Sequence, residues 1–292
     1  GVKDIYMEKL NELDEQWKEQ LKTLRYNQKF KSKTEKIEYW NKEAEIYDIR
    51  MLQDNRRVQD VINILKQKGV LTKKADVLEI GCGTGLYSVE LSKYSNSVTS
   101  VDISEAMGEV LNDKIKAFNI DNIKFKLIDW DNVDLDKEGL NNRFDISLSA
   151  LNPSLNSLVA LKKFCNTSRK ACVIVTFNAN VNNNVRQFMD KLLPVKEFGI
   201  HDCYSYFTES ILQEMGYKVE VFSTDMHWVK SEPTKEAVQR IIKEYKYLNS
   251  EVFEDEIHKY ILENSDENGL FHDVFSFADF SFVYGYEVFD YW

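Results

Sequence analysis

The sequence contains no long apolar segment. No stretch approaches the roughly 20 consecutive apolar residues that cross a bilayer, and the N-terminus opens with charged residues instead of a short apolar leader. We therefore expect no membrane association and a cytoplasmic location. With 43% hydrophobic and 29% charged residues in a chain of 292, the composition is that of a globular protein with a sizeable core.

Cysteine and histidine are also scarce. The four cysteines include no Cys-x-x-Cys pair, which argues against a disulfide framework and against a thiolate zinc site. The four histidines lack the spacing of metal ligands. We expect free thiols and no bound metal.

Positive charge is in deficit, since 38 Lys and Arg residues stand against 48 Asp and Glu residues, for a net charge of −10. A protein that binds nucleic acid needs a basic stripe on its surface. The one modest basic cluster, from Lys29 to Lys36, also contains Glu35 and lies in a helical segment. This balance argues against nucleic acid as a partner.

Hydrophobic periodicity divides the chain into a helical extension and an α/β core. Helical spacing predicts helices over 6–24, 34–48 and 55–68, and from about 71 onward strand-like runs alternate with helices, as in a mainly parallel sheet covered on both faces. We therefore predict an N-terminal helical extension or lid over 1–70 and a core over 71–292, with a helical insertion at about 233–265. The apolar stripe of the first helix packs on its own domain or, as the alternative, forms a homodimer contact.

A glycine-rich turn follows the first predicted strand of the core. Val77–Ile80 runs into Gly81, Gly83 and Gly85, and a helical stretch begins at Leu86. Glycine lets the loop turn tightly and lets a ligand lie against bare main chain. A dinucleotide fingerprint needs its third glycine one residue later, so the spacing argues against a dinucleotide-dependent oxidoreductase.

Acidic residues stand at three strand ends. Glu79, two residues before the first glycine, either faces a cationic group of the ligand or orders the loop. Asp102 closes the second strand 21 positions after Gly81, a spacing at which an acid reaches ribose hydroxyls, although a helix cap is the alternative. After the third strand, Asp129 could accept a hydrogen bond from the amino group of an adenine, and Trp130 could lie against its ring. The alternative is that Asp129 is an exposed acid and Trp130 a tryptophan of the core.

These segments resemble class I S-adenosylmethionine-dependent methyltransferases of the small-molecule type, over roughly 70–180 and loosely in the last strands. The resemblance implies S-adenosyl-L-methionine as the cofactor and a Rossmann-like, seven-stranded sheet whose last strand is antiparallel. The predicted cofactor-binding residues are Glu79, Gly81, Cys82, Gly83, Gly85, Asp102, Ile103, Met107, Asp129, Trp130, Ala150, Tyr39, Trp40 and Tyr47.

The segment before the core carries part of this resemblance. Trp40-x-x-x-Ala44-x-x-Tyr47-Asp48 is similar to a helix that precedes many small-molecule methyltransferases, in which its aromatics cover the methionine end of the cofactor. We therefore expect a lid over the cofactor and a small-molecule methyl acceptor.

The loop after the fourth strand leaves an alternative open. Asn152-Pro153 resembles the Asn-Pro-Pro-Tyr loop of amino-group methyltransferases that act on nucleic acid or protein, but the second proline and the aromatic are missing. The pair is otherwise a turn and a helix start. A non-catalytic cofactor-binding interaction module is a further alternative.

No catalytic residue is assigned from the sequence. Methyl transfer needs mainly alignment and exclusion of water, so a general base is optional. The candidates for such a base are His201, Asp202, Tyr204 and His227.

Overall fold

The computed structural model describes residues 2–22, 30–177, 181–192, 202–245 and 253–287. In that part of the chain the helices are α1 (Val2–Lys22), α2 (Lys33–Met51), α3 (Arg56–Gln67), α4 (Leu86–Ser92), α5 (Glu105–Ala117), α6 (Leu135–Glu138), α7 (Leu158–Cys165), α8 (Asn184–Leu192), α9 (Asp202–Glu214), α10 (Thr234–Tyr245) and α11 (Glu254–Glu263). The strands are β1 (Asp76–Ile80), β2 (Ser97–Asp102), β3 (Ile123–Leu127), β4 (Phe144–Ala150), β5 (Ser168–Phe177), β6 (Val181–Asn183), β7 (Tyr217–Pro233) and β8 (Leu270–Glu287).

Parallel strands form the centre of the sheet in the order β3-β2-β1-β4-β5. β8 pairs antiparallel with β5, and β7 pairs antiparallel with β8 along its whole length. Because β7 occupies one edge of β8, β5 and β6 share the other edge. The strand order reverses between β1 and β4, so the ends of these strands lie at the switch point where α/β sheets bind their ligands.

The prediction of a mainly parallel α/β sheet is confirmed. The predicted number of seven strands is not, since the described residues form eight. The difference is Val181–Asn183, a short segment that pairs with β8 just beyond the end of β5. β7 and β8 continue past the segment where β8 pairs with β5, as an antiparallel pair that reaches Pro233 and Leu270.

Alternating side chains of the strands bury two cores, one on each face of the sheet. Leu78 and Ile80 point to the core shared with α1, α7 and α9, whereas Val77 points to the core shared with α3 and α4. This period of two is what a strand buried on both faces requires. Glu79 shares the second face with Val77, which places a carboxylate inside that core.

The apolar stripe of α1 is buried inside the chain. Leu10 and Trp17 have no exposed surface, and Leu21 is also buried. Trp17 stacks on Phe207 of α9 with ring centroids 5.9 Å apart. The structure therefore agrees with packing on the chain's own domain, and a homodimer would need a face other than this stripe.

The far ends of β7 and β8 carry a third, smaller core with α8, α10 and α11. Phe188 and Tyr260 stack there with ring centroids 4.1 Å apart. Asp273 is fully buried in this core, with its carboxylate 3.6 Å from the Arg240 guanidinium. The two helices predicted at 233–265 are α10 and α11, while the division of the chain into extension, core and insertion stays a prediction. None of the described helices combines the length and apolar character needed to cross a membrane.

Candidate cofactor and acceptor site

A cavity of about 290 Å³ opens at the carboxyl edge of the parallel strands. The ends of three neighbouring strands contribute Ile80, Val101 and Ala150 to its wall. Trp40 and Tyr47 of α2 line the opposite side. The cavity therefore lies between the edge of the sheet and the helix that precedes the core, at the switch point defined by the strand order.

The first two glycines of the loop expose bare backbone to the cavity. Gly81 has φ +67° and Gly83 has φ +52°, in the left-handed region that favours glycine. A Cβ at Gly81 would lie 2.7 Å from Cγ of Asn152, so a side chain there must displace the β4 loop. At Gly83 the nearest atom is Cε1 of Tyr47 at 3.6 Å, which leaves the backbone of this residue accessible beneath α2.

Asp102 joins the glycine loop to the turn after β2. One carboxylate oxygen accepts a hydrogen bond from the Gly83 amide at 2.8 Å, and the other accepts one from the Ser104 amide at 2.9 Å. Desolvation raises the pKa of Asp102. The hydroxyl that caps α5 is that of Ser104, which accepts from the Met107 amide at 3.2 Å. Ser104, and not Asp102, therefore supplies the capping side chain. The Asp102 carboxylate lies on the cavity wall.

Nine of the fourteen predicted residues line this cavity. They are Gly81, Gly83, Asp102, Ile103, Met107, Trp130, Ala150, Trp40 and Tyr47. The other five, Glu79, Cys82, Gly85, Asp129 and Tyr39, do not contribute to its wall, each for a local physical reason.

Glu79 lies behind the glycine loop. It is 1% exposed and accepts a hydrogen bond from the Ser88 hydroxyl of α4, which in turn lies 2.6 Å from the Ser100 hydroxyl of β2. Burial raises the pKa of Glu79 to about 8. Of the two interpretations of this acid, the geometry favours ordering of the loop over direct contact with a ligand.

Cys82 and Gly85 face the protein interior. Burial raises the pKa of the Cys82 thiol, whose Sγ lies 3.5 Å from the Gly83 carbonyl. A Cβ at Gly85 would lie 2.4 Å from Cδ1 of Leu111, so this glycine permits close packing of the loop on α5. Both residues therefore support the loop on the side that faces the core, away from the cavity.

Asp129 is engaged by the segment that covers the cavity. Its carboxylate pairs with the Lys33 ammonium and accepts from Nδ2 of Asn132 at 2.7 Å. The Lys33 ion pair holds the pKa of Asp129 below its usual range. The predicted bond from Asp129 to an adenine amino group thus competes with a contact that sequence reasoning missed, because Lys33 lies 96 residues away along the chain.

Trp130 does line the cavity and is 4% exposed. Its indole N–H is buried without a hydrogen-bond partner among the described residues. A buried donor of this kind costs free energy unless a partner is supplied. Tyr39, by contrast, packs between Phe30 and Trp40, with ring centroids at 5.3 and 5.1 Å, and holds the aromatic side of α2 together.

α2 is fixed over the loop by polar contacts. The Asp48 carboxylate accepts a hydrogen bond from the Thr84 hydroxyl and pairs with the Lys114 ammonium, which also donates to the Thr84 carbonyl at 2.9 Å. Nearer the start of α2, Oδ1 of Asn41 accepts from the Ser104 hydroxyl at 2.6 Å. Asp48 is the last residue of the tryptophan–tyrosine–aspartate motif, so the motif was a signal for its contacts, whereas Asn41 occupies a variable position of the motif and had no such signal.

The loop after β4 carries backbone strain. Leu151 has φ +52°, which is rare for a bulky side chain and typical of functional sites. This turn carries Asn152 over Gly81, and Oδ1 of Asn152 accepts from the Ser154 amide at 3.0 Å. Leu151, Asn152, Pro153 and Ser154 all line the cavity.

Of the four general-base candidates, Tyr204 is the one whose side chain the structure describes, and it does not line the cavity. Tyr204 packs edge-on against Trp17 of α1, with ring centroids 5.8 Å apart. His201 lies outside the described residues, and the side chains of Asp202 and His227 are not described. Within the described part of the chain, no three His, Cys, Asp or Glu side chains are grouped to hold a metal ion.

A family model described as a methyltransferase domain matches residues 71–244, more than half of the chain. The chain belongs to this methyltransferase family. It is an enzyme whose cofactor is S-adenosylmethionine. The site fits that group in three respects: bare backbone at Gly83, a carboxylate at Asp102, and an indole N–H at Trp130 that lacks a partner among the described residues.

The methyltransferase also has more distant similarities. It is 45% identical over 51 residues to a probable cobalt-precorrin-6B C(15)-methyltransferase (decarboxylating) of Methanococcus maripaludis, and the match covers 18% of this chain and 28% of that relative. The magnesium protoporphyrin IX methyltransferase of Synechocystis PCC 6803 is 13% identical, with a TM-score of 0.49 over 80% of this chain and 83% of that one. The YcgJ protein of Bacillus subtilis is 12% identical, with a TM-score of 0.48 over 78% and 98% of the two chains.

The raised pKa of Glu79 predicts a pH dependence of stability. The unfolded chain ionises this group near its ordinary value of 4.5, whereas the folded methyltransferase keeps it neutral up to about 8. The contribution of Glu79 is therefore complete below the ordinary value and is lost as the pH rises through 8, by at most about 1.4 kcal/mol per pH unit. We expect Glu79→Gln to lack this decline when the free energy of unfolding is measured in urea between about pH 5 and 8.

Glu109→Gln is the matched control, because Glu109 is exposed on α5. The control should retain the wild-type decline. An equal decline in Glu79→Gln would show that the neutral Glu79 carboxyl is not its source.

Loss of the Asp48 contacts should release α2 from the loop. We expect Asp48→Ala to lower the local opening free energy by about 1–2 kcal/mol, so that amide hydrogen exchange across 35–50 accelerates about five- to thirtyfold. Glu45→Ala, an exposed position on the same helix, should exchange like the wild type. Wild-type protection in Asp48→Ala would show that the aromatic contacts alone hold the helix.

Proposed function

We propose that this methyltransferase transfers the methyl group to a small molecule enclosed between α2 and the carboxyl edge of the sheet. The observation that carries the proposal is the docking of α2 across the cavity, through Asp48 at one end and Lys33 at the other. A cavity of about 290 Å³, walled on both sides, is at the lower end of the range of small-molecule sites. A polymer substrate would require an open surface at the carboxyl edge of the sheet, where this chain has a cavity covered by α2.

The cofactor roles proposed for the wall residues follow from their geometry. The Asp102 carboxylate uses one lone pair of each oxygen on a backbone amide, which leaves acceptor capacity for ribose hydroxyls. The Trp130 indole lies at the end of β3, where an adenine ring would stack. Gly83 and Tyr47 border the position proposed for the methionine end. α2 serves as the lid.

The chemistry asks little of the protein beyond alignment. When bound, S-adenosylmethionine supplies a methyl carbon activated by the sulfonium for in-line displacement. The wall residues of this chain then hold the acceptor atom in line and exclude water. The strained Leu151 turn places Asn152 beside the glycine loop, where its carboxamide would orient an acceptor.

Asp102 provides the sharpest test of the cofactor site. We expect Asp102→Asn to weaken the affinity for S-adenosylhomocysteine by about 1–3 kcal/mol, or roughly fivefold to 150-fold, because a charge-assisted acceptor for ribose is lost while one loop contact is kept. Isothermal titration calorimetry measures the change. Asp113→Asn, exposed on α5, is the control. Unaltered affinity in a folded Asp102→Asn would remove this residue from the cofactor site.

The acceptor class is tested by isotope transfer. We expect methyl-labelled S-adenosylmethionine, incubated with the protein and a metabolite extract of its host, to yield labelled small molecules detectable by mass spectrometry. Gly83→Val is the background control, because a branched side chain at φ +52° is strained and faces the cavity. Labelling of RNA, DNA or protein with none in small metabolites would favour the amino-group methyltransferase that Asn152-Pro153 resembles.

A further inference from the structure

Asn152 contributes a side-chain donor to the cavity wall. Its Oδ1 accepts a hydrogen bond from the Ser154 amide at 3.0 Å. Because a backbone amide can only donate, this contact identifies the oxygen of the carboxamide. Nδ2 is therefore the atom that lies over Gly81, 2.8 Å from the position of a Cβ there. Among the described residues Nδ2 has no hydrogen-bond acceptor, so its N–H groups are available to a ligand.

The ends of the neighbouring strands hold this donor in place. The Ser149 hydroxyl donates to the Ile80 carbonyl at 3.0 Å, which fixes the end of β4 against β1. The Leu151 amide donates to the Val175 carbonyl of β5 at 2.9 Å. Leu151 also makes the left-handed turn that carries Asn152 over the glycine loop. The donor is thus oriented by the fold before a ligand binds.

The strand order places Asn152 beyond the methionine end of the proposed cofactor site. The proposed contacts follow that order, with Trp130 after β3 for adenine, Asp102 after β2 for ribose and Gly83 after β1 for methionine. β4 is the next strand of the sheet, about 5 Å from β1. The loop after β4 therefore lies on the side of the methionine end that faces away from the adenine, where an acceptor would reach the methyl group.

The acids of the cavity wall belong to other strands. Asp102 follows β2 and Asp131 follows β3, two and three strands away from β4. Tyr47, which faces the glycine loop from α2, carries a phenol. The loop after β4 contributes four wall residues, none with a side chain that takes up a proton at neutral pH: Leu151, Asn152, Pro153 and Ser154. An acceptor atom beside Asn152 thus has no base in this loop to remove a proton.

The polarity of Nδ2 distinguishes between acceptor atoms. An amine that attacks the methyl carbon uses its one lone pair for the new bond, and its N–H groups then need a hydrogen-bond acceptor. Nδ2 offers a donor in that place. A carboxylate oxygen has lone pairs for both the new bond and the Nδ2 donor, and it is ionised at neutral pH without the help of a base.

We propose that the methyl acceptor is a carboxylic acid whose carboxylate is bound by Nδ2 of Asn152. A lone pair of the carboxylate oxygen forms the O–CH₃ bond, and the bond from the methyl carbon to sulfur breaks with its electron pair on sulfur. The products are a methyl ester and S-adenosylhomocysteine, and no proton is released. This inference rests on the proposed function, since it names the chemical class of the small-molecule acceptor. It makes Asn152 a specificity-determining residue.

The test changes the donor while keeping the turn. Asn152→Asp keeps an acceptor for the Ser154 amide but replaces the N–H groups with an anionic oxygen. Asn152→Ser removes the amide donor without adding a charge, and its hydroxyl can still accept from the Ser154 amide. Asn156→Asp adds the same charge in the same loop, at a residue that is not part of the cavity wall, and is the matched control.

Two measurements are made on each protein. Calorimetry gives the affinity for S-adenosylhomocysteine. Label transfer from methyl-labelled S-adenosylmethionine into small molecules of a host metabolite extract is measured before and after treatment with mild alkali. Alkali hydrolyses a methyl ester and releases its label as volatile methanol, whereas a methyl group on nitrogen or carbon keeps its label.

We expect the wild-type product to lose its label in alkali. Asn152→Ser should lower formation of this product about tenfold to a hundredfold, because a hydrogen bond to a charged group is lost, and Asn152→Asp should lower it further through repulsion. Asn156→Asp should transfer label like the wild type. Both Asn152→Ser and Asn156→Asp should bind S-adenosylhomocysteine within about threefold of the wild type.

Three results would overturn this inference and leave the proposed function intact: a small-molecule label that resists alkali, wild-type transfer by both Asn152 variants, or an equal loss of transfer in Asn156→Asp. A loss of affinity for S-adenosylhomocysteine in Asn152→Ser as large as its loss of transfer would also overturn it, because Nδ2 would then serve the cofactor. Absence of label from all small molecules with the wild-type protein would refute the proposed function, and the inference would fall with it.

Discussion

The Asp102 carboxylate connects elements that are far apart along the chain. Its oxygens hold the Gly83 amide of the loop after β1 and the Ser104 amide of the turn after β2. Ser104 in turn bonds Asn41 of α2, so the helix that precedes the core is tied to the same point. Burial disfavours the ionised form of this carboxylate, and the hydrogen bonds from the two backbone amides favour it. Because each oxygen accepts from a different amide, the carboxylate is held in one orientation. The shape of the cavity depends on this orientation.

Local patterns explain what the sequence predicted well. The loop Gly81–Gly85 follows a buried strand, and its main chain needs left-handed φ angles that few other residues adopt, so residue type alone marks the turn. The acid at Asp102 is recognisable because a parallel strand and its crossover helix set a nearly constant separation from the loop. Most predicted residues on the cavity wall belong to these two segments or to the motif of α2.

What sequence reasoning missed depends on contacts between distant segments. Nothing near Asp129 indicates that Lys33 will pair with it, because that contact exists only after α2 crosses the sheet edge. The sequence also left two roles open for Glu79, because the contact that decides between them, with the Ser88 hydroxyl, forms only once α4 packs on β1. The extra strand β6 was missed for a related reason, because three residues carry too little periodicity to predict a strand.

Net charge and local charge act on different ligands in this protein. A net charge of −10 produces a field that disfavours polyanions approaching from solution, but salt screens it beyond about 8–10 Å. Inside the cavity, charges a few ångströms from a ligand act more strongly than this distant field, and the wall carries both signs, with Lys33 paired to Asp129 and the Asp102 carboxylate held by backbone amides. The net charge therefore acts on large ligands that approach from solution, whereas the wall residues act on a ligand inside the cavity. The cap formed by Ser32 and Glu35 fixes the first turn of α2 through backbone contacts, which keeps Lys33 beside Asp129 at the edge of the cavity.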